Sequence, residues 1–131
     1  MDPRPPHILI ADDEEGFRFG AVVALRRAGY RVSEAGNGRE ALEKILSARD
    51  AGDPVHLVVT DIRMPGMSGI ELIDALWERG VDAALCAITC FGEDDLVSRI
   101  VAMGCPEYLE KPFSPDDLLE RIRSILRGAL P

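Results

Sequence analysis

Short apolar segments recur five times along the chain, and they alternate with segments of helical periodicity. Several of the apolar segments are nearly continuous, which is typical of parallel strands that are buried on both faces. They cover residues 7–11, 30–35, 55–60, 84–89 and 107–113. Between them, apolar residues return every three or four positions over 15–28, 38–48, 69–79 and 94–103, and again after 114.

This alternation predicts an α/β fold in which a strand and a helix follow each other five times. Short right-handed crossovers then give an open, doubly wound parallel sheet with helices on both faces. The last helix has a clear start, with Ser114 as cap, Pro115 at the first helical position and Asp117 three residues after the cap. The longest polar loop is predicted at 48–54, and we expect it to vary freely.

Composition indicates one folded domain. The chain has 131 residues, of which 47% are apolar and 29% are charged. We expect a disordered, Pro-rich lead at 1–6, the domain at 7–128, and a tail or the start of a linker at 129–131. The net charge of −8 repels phosphate backbones, so direct binding of nucleic acid is not expected. No apolar run reaches the roughly 20 residues that a membrane span requires.

Cysteine and histidine do not form a recognisable site. Cys86, Cys90 and Cys105 lack metal-ligand spacing, and we interpret them as small packing residues in a reducing, cytoplasmic compartment. His7 and His56 fall at predicted strand starts, away from the carboxyl ends of the strands, and we interpret both as structural.

Polar side chains follow four of the predicted strands at the point where each strand ends. Asp12 and Asp13 follow the first strand, Asp61 the third, Thr89 the fourth and Lys111 the fifth. Functional groups of such sheets gather at the carboxyl ends of the strands, so we expect these residues at one rim. Carboxylates held that close repel one another unless a cation lies between them.

The residue types at this rim suit phosphoryl transfer. Oxygen ligands without a pair of thiolates or imidazoles favour Mg²⁺, with Mn²⁺ as the alternative. Lys111 adds a positive charge and Thr89 a hydroxyl donor, and a tetrahedral phosphoryl group fits between them and the metal. Asp61 is then the in-line nucleophile, which forms an aspartyl phosphate.

Each of these residues also has a simpler interpretation. Asp61 can be a turn residue before a Pro- and Gly-rich loop, and the pair Asp12 and Asp13 can cap a helix. Thr89 can be a β-former at a strand end, and Lys111 a solvated surface residue. The site is favoured because each residue ends its own apolar strand.

Four motifs together resemble the response-regulator receiver domain of two-component signalling. They are ILIADDEE (8–15), VVTDIRMPGMSG (58–69), AIT (87–89) and YLEKPF (108–113), and the resemblance covers about residues 7–127. It implies a flavodoxin-like (βα)5 fold with strand order 2-1-3-4-5. It also implies a module that takes a phosphoryl group from a sensor histidine kinase or a phosphotransfer protein, in a reaction that depends on Mg²⁺.

The resemblance assigns a role to each residue of the rim. Asp61 is the phosphoacceptor, and Lys111 contacts the phosphoryl group. Asp13 is a direct metal ligand, Asp12 acts through a metal-bound water, and the backbone carbonyl of Arg63 is the third protein ligand.

The resemblance also implies a conformational switch. Thr89 is the hydroxyl that moves toward the phosphoryl group, and Tyr108 is the aromatic residue that turns inward in response. The surface formed by the fourth helix, fifth strand and fifth helix then changes, and it is the expected face for a homodimer or a partner. The Lys111–Pro112 peptide bond is cis in this family.

Two other functions remain open. A metal-dependent phosphohydrolase with an aspartyl intermediate normally has a second aspartate two residues after the nucleophile, where this chain has Arg63. A degenerate receiver that only binds partners would lack key residues, and all of them are present. Arg63 follows Asp61 by two residues, and Phe91 follows Thr89 by two. We expect their side chains to restrict the attacking water and so to slow loss of the phosphoryl group.

Overall fold

A computed structural model of the chain describes residues 3–90, 92–105 and 107–129. Five strands and five helices alternate along these residues, as the sequence pattern predicts. In chain order they are β1 (His7–Ala11), α1 (Glu15–Arg27), β2 (Arg31–Ala35), α2 (Gly38–Asp50), β3 (Leu57–Asp61), α3 (Gly69–Glu78), β4 (Ala84–Cys90), α4 (Asp94–Ala102), β5 (Tyr108–Lys111) and α5 (Pro115–Ala129).

The strands form one parallel sheet in the order β2-β1-β3-β4-β5. The doubly wound fold and the strand order that the resemblance implied are therefore confirmed. Helices α2, α3 and α4 pack on one face of the sheet, and helices α1 and α5 on the other. In β1, Ile8 faces α1 and α5 while Leu9 faces α2 and α3, and both are fully buried. Burial on both faces explains why the central strands are apolar at nearly every position.

Local signals at the helix ends agree with the sequence. The Ser114 hydroxyl accepts a hydrogen bond from the Asp117 N–H (3.1 Å), and the Asp117 carboxylate accepts one from the Ser114 N–H (3.0 Å). This reciprocal pair satisfies two N–H groups that the first turn of α5 would otherwise leave without partners. The ladder of β5 stops at Lys111, because Pro112 has no N–H to continue it. The Lys111–Pro112 bond is cis, as the resemblance implied.

The prediction that 48–54 is a polar loop is wrong for its first three residues. Helix α2 continues to Asp50, and the carboxylate of Asp53 accepts two hydrogen bonds from Nη1 of Arg31, at 2.7 and 2.8 Å. The Arg4 guanidinium lies 3.5 Å from the same carboxylate. The segment is therefore bound to the amino end of β2 by an ion pair that sequence periodicity does not reveal.

The cysteines and histidines lie away from the acidic rim, with one exception. Cys86 and Cys105 are buried, and burial raises the pKa of the Cys86 thiol to about 12. Cys90 is exposed at the end of β4, so its interpretation as a packing residue is wrong. The backbone N–H of His7 donates to Nδ1 of His56 (2.9 Å), and Nε2 of the His7 ring lies 2.7 Å from the hydroxyl oxygen of Ser33, which supports a structural role for both rings.

No helix in the part of the chain that the structure describes has both the length and the apolar character needed to cross a membrane.

Candidate functional site

The first part of the site is the loop that leaves β1. Asp12 is fully buried, and its Oδ1 accepts a hydrogen bond from the Glu14 N–H at 2.8 Å. Its backbone is fixed as well, because its N–H donates to the carbonyl of Ala35 (3.1 Å) and its carbonyl accepts from Nη1 of Arg18 (2.6 Å). The N-cap position of α1 is Glu14, so neither Asp12 nor Asp13 is the cap that the simpler interpretation proposed. Asp13 is exposed beside the buried Asp12.

The second part of the site is the end of β3. Asp61 is the last residue of that strand and is 8% exposed, and its Oδ1 accepts a hydrogen bond from the Arg63 N–H at 2.9 Å. Asp61 therefore does organise a turn through Oδ1, while its Oδ2 faces the Lys111 ammonium. Helix α3 begins against the same backbone, since a Cβ placed on Gly69 would lie 2.2 Å from the carbonyl oxygen of Asp61. Only glycine permits this close approach.

Lys111, at the end of β5, supplies the positive charge. Its Nζ lies 3.2 Å from Oδ2 of Asp12, 3.4 Å from the Glu14 carboxylate and 3.6 Å from Oδ2 of Asp61. The ammonium also lies 4.4 Å from the centre of the Phe17 ring. Burial opposes the charged form, but the three carboxylates outweigh it and raise the pKa of Lys111. The Lys111 ammonium is therefore half-buried within the site, and Lys111 is not a solvated surface residue.

The three aspartates form a cluster of like charge. Carboxylate oxygens of Asp12, Asp13 and Asp61 all lie within 4.8 Å of one another. Burial raises the pKa of the Asp61 carboxyl, and the charges of the other two aspartates add to the effect, against the opposing N–H of Arg63 and ammonium of Lys111. The donors are all oxygens, so the residues present fit a hard divalent cation such as Mg²⁺. Such an ion would be held by these carboxylates.

Thr89, near the end of β4, is buried like Asp12. It is 1% exposed, and among the described residues its hydroxyl has no hydrogen-bond partner. Its neighbour Ile88 is paired with Asp61 in the sheet, which places Thr89 one residue further toward the carboxyl edge. A buried hydroxyl without a partner is costly, so a polar group brought to this edge would gain a ready donor.

Tyr108 is not part of the acidic cluster. It begins β5, pairs with Ala87 and is 37% exposed. Nη1 of Arg121 on α5 donates to its backbone carbonyl. The structure therefore brings Asp12, Asp13, Asp61 and Lys111 together, with the unpartnered Thr89 hydroxyl at the adjoining strand end and Tyr108 on the outer surface.

Three residues near the site were missed by sequence reasoning. Glu14 contacts Lys111, and its place in the run DDEE was an available signal. Arg18 donates to the carbonyl of Asp12 from Nη1 and to Glu34 from Nε (3.1 Å). The one sequence signal for these contacts is its position one helical turn after Glu14. Glu93 is the third residue, and its contacts join two loops that are far apart in sequence.

Glu93 binds groups on both sides of the site. Its Oε1 accepts the Cys90 N–H at 2.6 Å, and its Oε2 accepts Nε of Arg63. Burial opposes its ionisation, but these two donors hold the pKa of the Glu93 carboxyl below its ordinary value. Phe91, which we also expect to slow loss of the phosphoryl group, lies outside the described residues.

Comparisons with known proteins agree with this geometry. Residues 8–123 match the family model for the response regulator receiver domain. The chain is 37% identical over 126 residues to the phosphate regulon transcriptional regulatory protein PhoB of Pseudomonas aeruginosa, which covers 95% of this chain and 53% of that protein. It is 38% identical over 119 residues to the transcriptional regulatory protein PdtaR of Mycobacterium tuberculosis, covering 90% and 55%. The chain thus spans about half the length of the curated relatives it matches.

Solved structures show the same fold. The chemotaxis protein CheY4 of Vibrio cholerae superposes with a TM-score of 0.84 at 29% identity, covering 93% of this chain and 99% of that one. A CheY-like receiver domain protein from Methanospirillum hungatei gives 0.84 at 27% identity, covering 95% and 96%. With the strand order, the acidic cluster and the family match in agreement, the chain belongs to the response regulator receiver domain family of two-component signalling.

Proposed function

We propose that this chain is a phosphoacceptor module that receives a phosphoryl group on Asp61 from a sensor histidine kinase or a phosphotransfer protein. The observation that carries the proposal is the cluster of three carboxylates within 4.8 Å with the Lys111 ammonium against two of them. Mg²⁺, or Mn²⁺ in its place, would be held by the carboxylates of Asp13 and Asp61 and by the backbone carbonyl of Arg63, with Asp12 acting through a bound water.

The residues divide the work of phosphoryl transfer. A divalent cation held by these residues would supply charge neutralisation for the incoming phosphoryl oxygens. One carboxylate oxygen of Asp61 attacks phosphorus while the bond to the donor breaks and its electron pair leaves with the donor group, which takes up a proton. Lys111 binds a phosphoryl oxygen, and because its ammonium is already 3.6 Å from Asp61 it needs little movement.

The signal is a change in packing that follows the new charge. A phosphoryl group adds about two negative charges at the rim. The Thr89 hydroxyl, which has no partner among the described residues, moves inward to donate to it. Tyr108 then turns from its exposed position into the space that Thr89 leaves. This is a population shift between two arrangements, and it alters the face formed by α4, β5 and α5, where a homodimer or a partner binds.

The chain works through protein contacts in this proposal. Its net charge of −8 opposes direct binding of nucleic acid, and the charged residues of α4 and α5 suit a protein surface. The receiver comprises residues 7–128. Arg63 and Phe91 restrict the water that removes the phosphoryl group, so Arg63→Asn and Phe91→Ala should each shorten the half-life of the phosphorylated protein.

The test is phosphorylation by a small phosphodonor. Wild-type protein with acetyl phosphate and MgCl₂ should gain one phosphoryl group by intact-mass spectrometry, and Asp61→Asn or added EDTA should abolish the gain. Asp82→Asn, an exposed aspartate outside the site, is the control and should be labelled normally.

The outcomes separate the three candidate functions. Stoichiometric labelling that requires Asp61 supports the module. Many turnovers of a phosphomonoester would instead show a phosphohydrolase. A wild-type protein that takes up no label under these conditions would be a binding-only receiver.

A further inference from the structure

Glu93 is an acidic residue whose two carboxylate oxygens both accept hydrogen bonds. Its side chain is 7% exposed, although it lies at the surface end of α4. It occupies the N-cap position of that helix but makes no side-chain cap hydrogen bond. One oxygen instead accepts the Cys90 N–H, and the other accepts Nε of Arg63. The carboxylate therefore connects two loops and does not serve its own helix.

Both partners of Glu93 are next to residues of the proposed reaction. Cys90 directly follows Thr89, so a hydrogen bond to its N–H holds the peptide unit that joins the two residues. Arg63 donates its own backbone N–H to Asp61 at 2.9 Å. Glu93 thus links the main chain beside the Thr89 hydroxyl to the side chain of a residue whose backbone N–H binds the phosphoacceptor.

The link can be broken from the Arg63 side. The Arg63 side chain is 69% exposed, so its guanidinium is free to move through solvent. A phosphoryl group on Asp61 would offer about two negative charges and several acceptor oxygens, which a guanidinium binds in a bidentate manner. Glu93 carries only one negative charge, and its Oε1 already accepts the Cys90 N–H.

We propose that Glu93 is a positioning residue whose pairing with Arg63 holds the Cys90 peptide in the resting arrangement, and that Arg63 leaves Glu93 for the phosphoryl group when Asp61 is phosphorylated. The inference rests on the proposed phosphoacceptor function and adds its regulation. When Arg63 leaves, Glu93 loses one of the two contacts that hold its side chain in place, so the side chain is freer to turn away from the Cys90 N–H. Thr89 then moves inward at lower cost.

The variant Glu93→Gln tests this link. Its amide oxygen still accepts the Cys90 N–H, but the side chain has no charge to retain Arg63. The resting arrangement is weakened, so the rate of labelling by acetyl phosphate with MgCl₂ should rise about three- to fivefold, as expected for an exposed ion pair. Asp95→Asn removes the same charge from the exposed first turn of α4 and should leave the rate unchanged.

A double-variant cycle separates the link from general effects on the site. In an Arg63→Gln background, Glu93→Gln should have no further effect on labelling, since the partner is already absent. The amide signal of Cys90 in ¹H–¹⁵N spectra should shift on adding beryllofluoride to wild-type protein, and that shift should be smaller in both single variants. If Glu93→Gln does not fold, Arg63→Gln with the Cys90 signal tests the same link.

The results distinguish this inference from the function on which it rests. Failure of wild-type protein to take up label overturns the proposed function. Normal labelling of the wild type, together with an unchanged rate in Glu93→Gln or additive effects in the cycle, overturns the link alone.

Discussion

Replacing Asp13 with asparagine should make the metal-free protein more stable and at the same time remove its response to Mg²⁺. Asp13 is the exposed member of the acidic cluster, and its carboxylate lies within 4.8 Å of those of Asp12 and Asp61. Lys111 contacts the other two aspartates, so the substitution relieves repulsion without removing those ion pairs. The sign of the effect is therefore clear.

The size of the effect follows from these distances. Two unit charges 4.8 Å apart repel by about 0.9 kcal/mol in a water-like dielectric and about 3.5 kcal/mol at an effective dielectric constant of 20. Because Asp13 is exposed, the lower figure applies to its repulsion from each of Asp12 and Asp61. Attraction to the Lys111 ammonium cancels part of the sum of these two repulsion energies. We expect a gain in the free energy of unfolding of about 1 kcal/mol, or roughly 4 °C in melting temperature for a domain of this size.

Magnesium should reverse the order of the two proteins. At ten times its dissociation constant, a ligand that binds only the folded state stabilises it by about 1.4 kcal/mol. Wild-type protein should gain this amount, whereas the variant lacks the carboxylate that we propose as a direct ligand and should gain little. Urea unfolding followed by Trp77 fluorescence, in EDTA and in MgCl₂, measures both effects in one series.

Asp82→Asn is the matched control, because it removes an exposed carboxylate before β4 and outside the cluster. It should move neither the EDTA curve nor the Mg²⁺ increment. A metal-free Asp13→Asn protein that is no more stable than wild type would refute the electrostatic reasoning. A variant that keeps the full Mg²⁺ increment would refute the assignment of Asp13 as a ligand.

Two further predictions concern the fold around the site. Gly69→Ala should cost about 1–3 kcal/mol in urea unfolding, because its methyl group would lie 2.2 Å from the Asp61 carbonyl oxygen. Outside the local helix backbone, no atom of the described residues lies within 4 Å of a Cβ placed on Gly20, so Gly20→Ala should stabilise α1 by about 0.5–1 kcal/mol. Equal effects of the two substitutions would contradict this reasoning. The hydrogen bond from Arg31, against a smaller opposing effect of burial, holds the pKa of Asp53 below its ordinary value. Ionised Asp53 therefore stabilises the fold above the usual aspartate range, and the advantage of wild type over Asp53→Asn should disappear as pH falls through the lowered pKa; an advantage that persists in acid would exclude the ion pair as its source.

The sequence predicts the sheet well because the strands have little freedom. Residues such as Ile8 and Leu9 must both be apolar when helices cover both faces, so a continuous apolar run indicates a central parallel strand. The site residues follow from the same pattern, since a polar residue that ends such a strand has to lie at its carboxyl edge. Asp12, Asp61 and Lys111 are located by this argument alone.

Hydrophobic periodicity does not predict contacts between loops. Periodicity shows which face of an element is buried, but it does not show where a long side chain goes after leaving the backbone. Arg31 could point to solvent from the start of β2, yet it binds Asp53 across 22 residues of sequence. Arg63 and Glu93 are 30 residues apart and meet only because β3 and β4 are neighbours in the sheet.

The cluster of like charges persists because its members are held by the backbone as well as by one another. Asp12 accepts the Glu14 N–H and Asp61 accepts the Arg63 N–H, so neither carboxylate can turn away from the repulsion without losing a hydrogen bond. These bonds would fix the proposed ligands before a cation arrives, which lowers the conformational entropy that binding costs. In the proposed mechanism, the same rigidity means that a phosphoryl group cannot send its signal by moving the acidic residues. The response has to come from groups that are not held in this way, and the Thr89 hydroxyl, which lacks a partner among the described residues, meets that condition.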